Sequence, residues 1–264
     1  SRRGAVHRRQ ELRPKSVLNG LIQFIDGSPP GFALSASYDS GLVALSYFVA
    51  SFAAYVALDF TARVRDSGDF MGRRWLIGGA GAMALGIWGM HFIGMLAFRL
   101  PIPVQYDLAT TAASLAVAVL LSGFALSMVT RPSLPVPRLL ASGAVMGLGV
   151  VGMHYIGMAA MRMEATMLYA PGPFALSVVN AIACSTIALW LVFRLGARTG
   201  LARHLMHRVA AAMVMGLAIA GMHYTALSAG VCMSPRPVGA GIAPVDPALQ
   251  FLDRKSTRLN SSHV

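Results

Sequence analysis

Apolar residues in this chain come in long unbroken runs rather than in the amphipathic stripes of a water-soluble domain. Six runs are each long enough to cross a hydrocarbon core of about 30 Å as a helix: Leu42 to Phe60, Trp75 to Phe98, Leu108 to Val129, Leu139 to Met161, Phe174 to Phe193 and Val209 to Ala229. Across all of them the only carboxylate, lysine or arginine is Asp59. The pattern predicts an all-α integral membrane protein of six transmembrane helices, arranged as three helical hairpins. A composition of 56% hydrophobic and 12% charged residues in 264 agrees, since a soluble globule carries about twice that charge.

The three hairpins repeat. Their second helices read Met83-Ala-Leu-Gly-Ile-Trp-Gly-Met90-His91-Phe92-Ile-Gly-Met95, Met146-Gly-Leu-Gly-Val-Val-Gly-Met153-His154-Tyr155-Ile-Gly-Met158 and Met215-Gly-Leu-Ala-Ile-Ala-Gly-Met222-His223-Tyr224-Thr-Ala-Leu227. The histidines are 63 and 69 residues apart, one hairpin each time. Each copy has methionine eight and one residues before histidine and glycine two before it; four residues after it stand Met95, Met158 and Leu227. The first helices of the hairpins carry no such pattern and read as scaffold. Gly143 and Gly147 of the fourth span, one turn apart, would let helix backbones approach closely.

A net charge of +12 raises the question of nucleic acid, but the basic residues are segregated. Arg63, Arg65, Arg73 and Arg74, then Arg131 and Arg138, then Arg194, Arg198, Arg203 and Arg208 fall in alternate loops, whereas only Arg99, Arg162 and Arg236 flank the opposite ends. The positive-inside rule puts the first set in the cytoplasm, so nucleic acid is not an expected partner and the lipid bilayer is. Six Lys/Arg in the first fifteen residues argue the other way, but they stand more than twenty residues from the first span, where the rule weakens. Residues 1–37 are therefore expected to be a basic, disordered extension without a signal peptide, 38–233 the membrane domain, and 234–264 a Pro/Gly-rich then polar tail whose end reads as foreign to the rest. His7 and His263 go with those ends, and His204 and His207 with the basic inner loop. Cys184 and Cys232 give no disulfide framework.

Each intramembrane histidine lies six or seven residues before the outer end of its span, about 10 Å below the boundary. Three imidazoles at one depth, with Met90, Met95, Met153, Met158 and Met222 beside them, form a donor set of nitrogen and thioether suited to a soft ion, above all Cu(I). Zinc could bind three histidines, but would leave the methionines unexplained. The plainer readings are methionine as flexible filler and histidine satisfied by a facing helix. The matched depth favours a metal centre at His91, His154 and His223. Tyr155 and Tyr224 follow their histidines, Phe92 replaces the hydroxyl in the first copy, and all three could belong to an interfacial aromatic belt. Asp59 reads as an interfacial partner of Arg63, one turn away, rather than a proton relay.

The runs Met90-His91-Phe92, Met153-His154-Tyr155 and Met222-His223-Tyr224 resemble the MHYT domain, a bacterial membrane sensor module. Ser37-Tyr38-Asp39 leading into Leu42, Tyr55 to Asp59, and Gly157-Met158 to Met163 extend the likeness over about residues 38–233. The resemblance implies a seven-helix module in the bacterial inner membrane with its motifs toward the periplasm, binding copper and sensing oxygen, carbon monoxide or nitric oxide. It also implies fusion to cytoplasmic GGDEF and EAL domains that make and degrade cyclic di-GMP, and leaves room for a homodimer. Against that pattern the chain lacks a seventh helix and an output domain, reading as an incomplete copy, and Ala226-Leu227 replaces Gly-Met in the third motif. No nucleophile, base or carboxylate pair points to catalysis by the chain itself. The leading expectation is a sensor with a site dominated by helices two and four and completed by His223; the alternatives are a metal transporter or channel and a haem-binding membrane protein.

Overall fold

Uninterrupted apolar sequence can satisfy its backbone in lipid only as helix, and helix is what forms. The computed structural model describes residues 22–25, 31–195 and 201–235. Its helices are α1 (Ser40–Asp66), α2 (Asp69–Ala97), α3 (Leu108–Val129), α4 (Val136–Ala159), α5 (Pro171–Leu195) and α6 (Leu201–Ser228). All six are long and apolar enough to cross a membrane. The protein is a multi-pass membrane protein. Large apolar side chains in mid-helix, such as Phe48, Phe52, Ile77, Leu120 and Leu217, point away from the bundle, as lipid allows. α1 to α6 follow one another around a ring, and α6 packs back against α1 to close it. Helix α6 begins at Leu201, well before the apolar run that predicted it, so His207 lies on helix rather than in a loop. His204 shares that helix, whereas His7, His263 and Arg236 fall outside the described residues.

Short strands add an element that apolar runs do not reveal. These are β1 (Phe32–Ala33), β2 (Ser37–Tyr38), β3 (Phe98–Arg99), β4 (Gln105–Tyr106), β5 (Met161–Arg162), β6 (Thr166–Tyr169) and β7 (Gly230–Ser234). The strand before each hairpin pairs antiparallel with the strand after it: β2 with β3, β4 with β5, β6 with β7. In each copy the backbone N–H just before the first helix, of Asp39, Asp107 and Ala170, donates to the carbonyl of Ala97, Ala160 and Ala229. Backbone groups leaving the helices are thus paired at this strand end of the bundle. The third copy has an additional cover, because β1 pairs with β7, and Phe24 bridges to Tyr169.

In two copies the helix cap also grips its own hairpin. Asp39 caps α1 by accepting from the backbone N–H of Leu42, and Arg99 reaches it at 2.5 Å. Asp107 caps α3 through the backbone and hydroxyl of Thr110, with Arg162 at 3.6 Å. Ala170 and Val231 occupy the corresponding places in the third copy, which therefore has no such clasp. At the opposite, loop end Asp59 pairs with Arg63 at 2.6 Å and Arg208 at 3.8 Å, an interfacial arrangement. Arg65 donates to the carbonyl of Val129.

Two outcomes follow from this packing. A Cβ on Gly147 would lie 2.5 Å from the Cα of Ile182, so Gly147→Leu is expected to force α4 off α5, lowering the melting temperature in detergent by an amount corresponding to about 1–3 kcal/mol. The Leu42 backbone N–H and Arg99 hold the Asp39 carboxyl below the ordinary carboxylate range, and Thr110 with Arg162 does the same for Asp107. Lowered folded-state values give stability that is complete above the unfolded carboxylate pKa and is lost as pH falls through the folded ones. Thermal melts taken from pH 6 down to about pH 3 should therefore drop more steeply for the wild type than for the Asp39→Ala, Asp107→Ala double variant.

Candidate metal centre

Placing histidine five or six residues from the strand-end terminus of α2, α4 and α6 brings all three rings to the bundle axis. His91, His154 and His223 are each 0% exposed. Their ring centroids stand 5.0, 5.0 and 5.1 Å apart in edge-to-face contact. The Nδ1 of His223 lies 3.2 Å from the Nδ1 of His91 and 3.2 Å from that of His154. The Nδ1 of His223 thus meets both of the others. The three rings stand nearly equidistant, and the third motif differs in carrying Ala226-Leu227 where the first two carry Gly-Met.

The opposite ring nitrogens make the arrangement chemically unusual. Nε2 of each histidine is buried without a hydrogen-bond partner. Two of them abut the next motif: a Cβ on Gly157 would collide with Nε2 of His91, and one on Gly94 with Nε2 of His223. Glycine three residues after histidine is thus the seat for a neighbouring ring, and in the third motif that place holds Ala226. A neutral imidazole carries one N–H. With the proton on Nε2 in all three, the Nδ1 lone pair of His223 would face those of His91 and His154 and repel them unless a cation lay between them. Among the described residues these histidines are the one His/Cys/Asp/Glu group able to share an ion.

The methionines divide by their angle around the helix. Met95, Met158 and Leu227, one turn strandward of the histidines, pack together on the axis with Phe98, Tyr106, Met161, Met167 and Tyr224 around them. Those before histidine are turned by roughly 100° and leave the axis. Met153 packs with Ala84, Ile87 and Ala118, and Met222 with Tyr155, Ala181 and Ala226. Met90 is equally buried, at 1% exposed. Helical geometry puts Met95 and Met158 beside the rings' strandward face, whereas Met153 packs between helices and Met222 reaches a cavity on the loop side.

Residues outside the motif hold the rings' neighbours in place. Tyr155 shares a hydrogen bond of 3.0 Å with Ser177, and Tyr224 one of 2.9 Å with Ser46. In the first copy Phe92 has no hydroxyl, and the corresponding Ser114 accepts instead from the Trp88 indole at 3.0 Å. Ser46 and Ser114 each stand seven residues after the capping aspartate, and Ser177 seven after Ala170. That spacing was available in the sequence; the pairing was not, because it joins each motif helix to the next hairpin. Tyr155 and Tyr224 are thus each hydrogen-bonded to the neighbouring hairpin.

A family model described as the bacterial signalling protein N-terminal repeat, MHYT, matches residues 85–142 and again 147–204. The chain belongs to the MHYT family. Each matched unit starts within a motif helix and runs through the following hairpin's first helix, the same pair that the Tyr–Ser bonds join. The chain is 49% identical over 196 residues to the bifunctional diguanylate cyclase/cyclic di-GMP phosphodiesterase MucR of Pseudomonas aeruginosa, covering 74% of this chain and 28% of MucR. It is 41% identical over 216 residues to the cyclic di-GMP phosphodiesterase NbdA of the same organism, covering 81% of this chain and 27% of NbdA. It is also 34% identical over 196 residues to the signaling protein YkoW of Bacillus subtilis, covering 74% of this chain and 24% of YkoW. The chain thus spans about a quarter of the length of these relatives, and MHYT is their membrane sensor domain. No solved structure matches.

Removing the Tyr155 hydroxyl leaves Ser177 its bond to the Phe174 carbonyl, so no buried oxygen is orphaned. Tyr155→Phe and Tyr224→Phe are accordingly expected to cost only about 0.5–1.5 kcal/mol each, read as a melting shift in detergent. Trp88→Phe should cost more, because packing volume goes with the hydrogen bond.

Proposed function

We propose that the chain is a sensor module of the bacterial inner membrane in which His91, His154 and His223 hold a copper ion near the periplasmic face. The observation that carries this reading is the approach of the Nδ1 atoms of His91 and His154 to that of His223, each at 3.2 Å, among three fully buried rings. Three nitrogens each about 2.0–2.1 Å from a common ion stand roughly 3.3–3.6 Å apart, so a small settling of the rings accommodates one. Copper is preferred to zinc because Met95 and Met158 offer thioether on the strandward side and no carboxylate or thiolate adjoins the rings to stabilise a dication. When bound, such an ion supplies an open position for oxygen, carbon monoxide or nitric oxide, or a change of redox state.

The chain's own residues do the rest. Gly94 and Gly157 let two rings lie flush on neighbouring helices, and the strandward layer of Met95, Met158 and Leu227 shields the site from water. A shift of the motif helices passes through Tyr155–Ser177 and Tyr224–Ser46 to α5 and α1, whose loop ends face the side where output domains lie. In the full-length protein those would be cytoplasmic domains acting on cyclic di-GMP, as the names of MucR and NbdA suggest. The other readings are less well supported. Rings in mutual contact leave no slot for a porphyrin between them, and the loop-end half of the axis is too apolar to pass a hydrated ion.

Elemental analysis of protein purified in detergent is expected to give about one copper per chain and no haem Soret band. His154→Ala and His223→Ala should each lower copper affinity by at least the roughly 10–100-fold typical of weakening a metal site, and Met95→Leu by less. A Soret band, or metal content indifferent to both histidine variants, would refute the proposal.

A further inference from the structure

One turn to the loop side of the histidines the packing opens into a cavity of about 80 Å³. Its walls are built by the same repeat that builds the centre. Ile87, Val150 and Ile219 stand four residues before the three histidines, Met83, Met146 and Met215 eight before, and all six residues line it. The remaining lining is mostly alanine, leucine and valine of α1, α3 and α5, so every helix contributes. Its polar members are Thr61, whose hydroxyl donates to the Ala57 carbonyl at 2.7 Å, Cys184, whose thiol donates to Asn180 at 3.2 Å, and Ser185. A water molecule is held by two to four polar partners, whereas the hydroxyls of Thr61 and Ser185 stand in a wall that is otherwise almost wholly apolar. Dry apolar cavities instead take up apolar molecules, and one of about 150 Å³ holds benzene. At roughly half that size, this cavity suits one xenon atom or one diatomic molecule, not a lipid-sized ligand.

Its position gives the cavity a direction. Strandward of the rings, Met95, Met158 and Leu227 are each at most 2% exposed, and the paired strands lie beyond them. The cavity lies on their loop side, one helical turn from the rings. We infer that this cavity binds a single small, neutral, apolar molecule and is the antechamber through which such a molecule, dissolved in the acyl chains, reaches the histidines. Ions and hydrated solutes are excluded by the same walls. The binding site stands by itself; the antechamber role rests on the sensor reading above.

The two parts are tested separately, on the whole chain in nanodiscs. Saturable xenon binding, followed by 129Xe NMR, is expected for the wild type and should weaken at least tenfold in Ala188→Leu and in Ala218→Leu. Both residues line the cavity and neither lies in the motif's histidine layer. An unchanged circular dichroism melt identifies the variant that remains folded, and two variants on different helices guard against one failing. Wild-type protein without saturable xenon binding, or folded variants that bind it equally well, overturn the site. With copper loaded, the association rate of carbon monoxide should fall at least tenfold in the same variants at unchanged copper content. An unchanged rate overturns the antechamber while leaving the cavity standing. If the wild type takes up no carbon monoxide at all, the sensor reading falls and the antechamber with it, whereas the xenon result still decides the cavity.

Discussion

Three imidazoles that touch one another, fully buried in the bundle, set terms that the rest of the chain must meet. Each is a polar ring moved out of water, and in lipid such a group persists only where neighbours fix what it faces. Here the fixing is mutual: Nδ1 faces Nδ1, while Nε2 of His91 and of His223 lies against the glycine of the next motif. The rings can meet only if the three motif helices bring histidine to the same depth and the same angle. A hairpin repeated three times around a closed ring achieves that, and the strand pairs that tie off each hairpin hold the depth. Sliding one motif helix by a single residue would break its strand register as well as the histidine contact.

The copies are not equal, and each departure falls where something else carries the load. The first copy has Phe92 in place of tyrosine, and Trp88 supplies the donor that Ser114 would otherwise lack. The third lacks the Asp–Arg clasp, and there β1 and Phe24 cover the end that the clasp would have secured. Leu227 takes the place of a thioether but keeps the volume, so the layer above the rings stays closed. What none of the copies changes is histidine. Shape at the periphery can be exchanged between residues of like size, whereas three converging nitrogens have no substitute of the same chemistry.

The bundle was largely legible in the sequence, because apolar length fixes a transmembrane helix and a repeat fixes the depth of the residues it carries. The histidine ring was legible for the same reason. The N-terminal part of α6 was hidden because His204, His207 and Arg208 interrupt the apolar run, although charged residues are stable in a helix that extends past the membrane. The strands were hidden because two-residue segments such as Phe98–Arg99 have no pattern of their own; they exist through their partners. The serines were hidden because Ser46, Ser114 and Ser177 look like ordinary small residues of scaffold helices until the next hairpin is laid beside them. The methionines beside the histidines in sequence are set apart by angle. One residue along a helix is a turn of about 100°, which takes Met153 and Met222 off the axis despite their place beside histidine in sequence.

The two ends of the axis follow opposite rules. Toward the strands, close packing, capped helix termini and paired backbone make the histidine layer rigid. Toward the loops, the methionine and isoleucine positions of the same repeat leave empty volume. A void costs the contacts its lining atoms would otherwise make, so a well-packed bundle would be expected to close it. Methionine, flexible and able to follow an irregular gap, lines it in all three copies instead. Rigid donors on one side and adaptable apolar walls on the other are the division that a site needs if it is to keep three nitrogens in place while a small neutral molecule comes and goes beneath them.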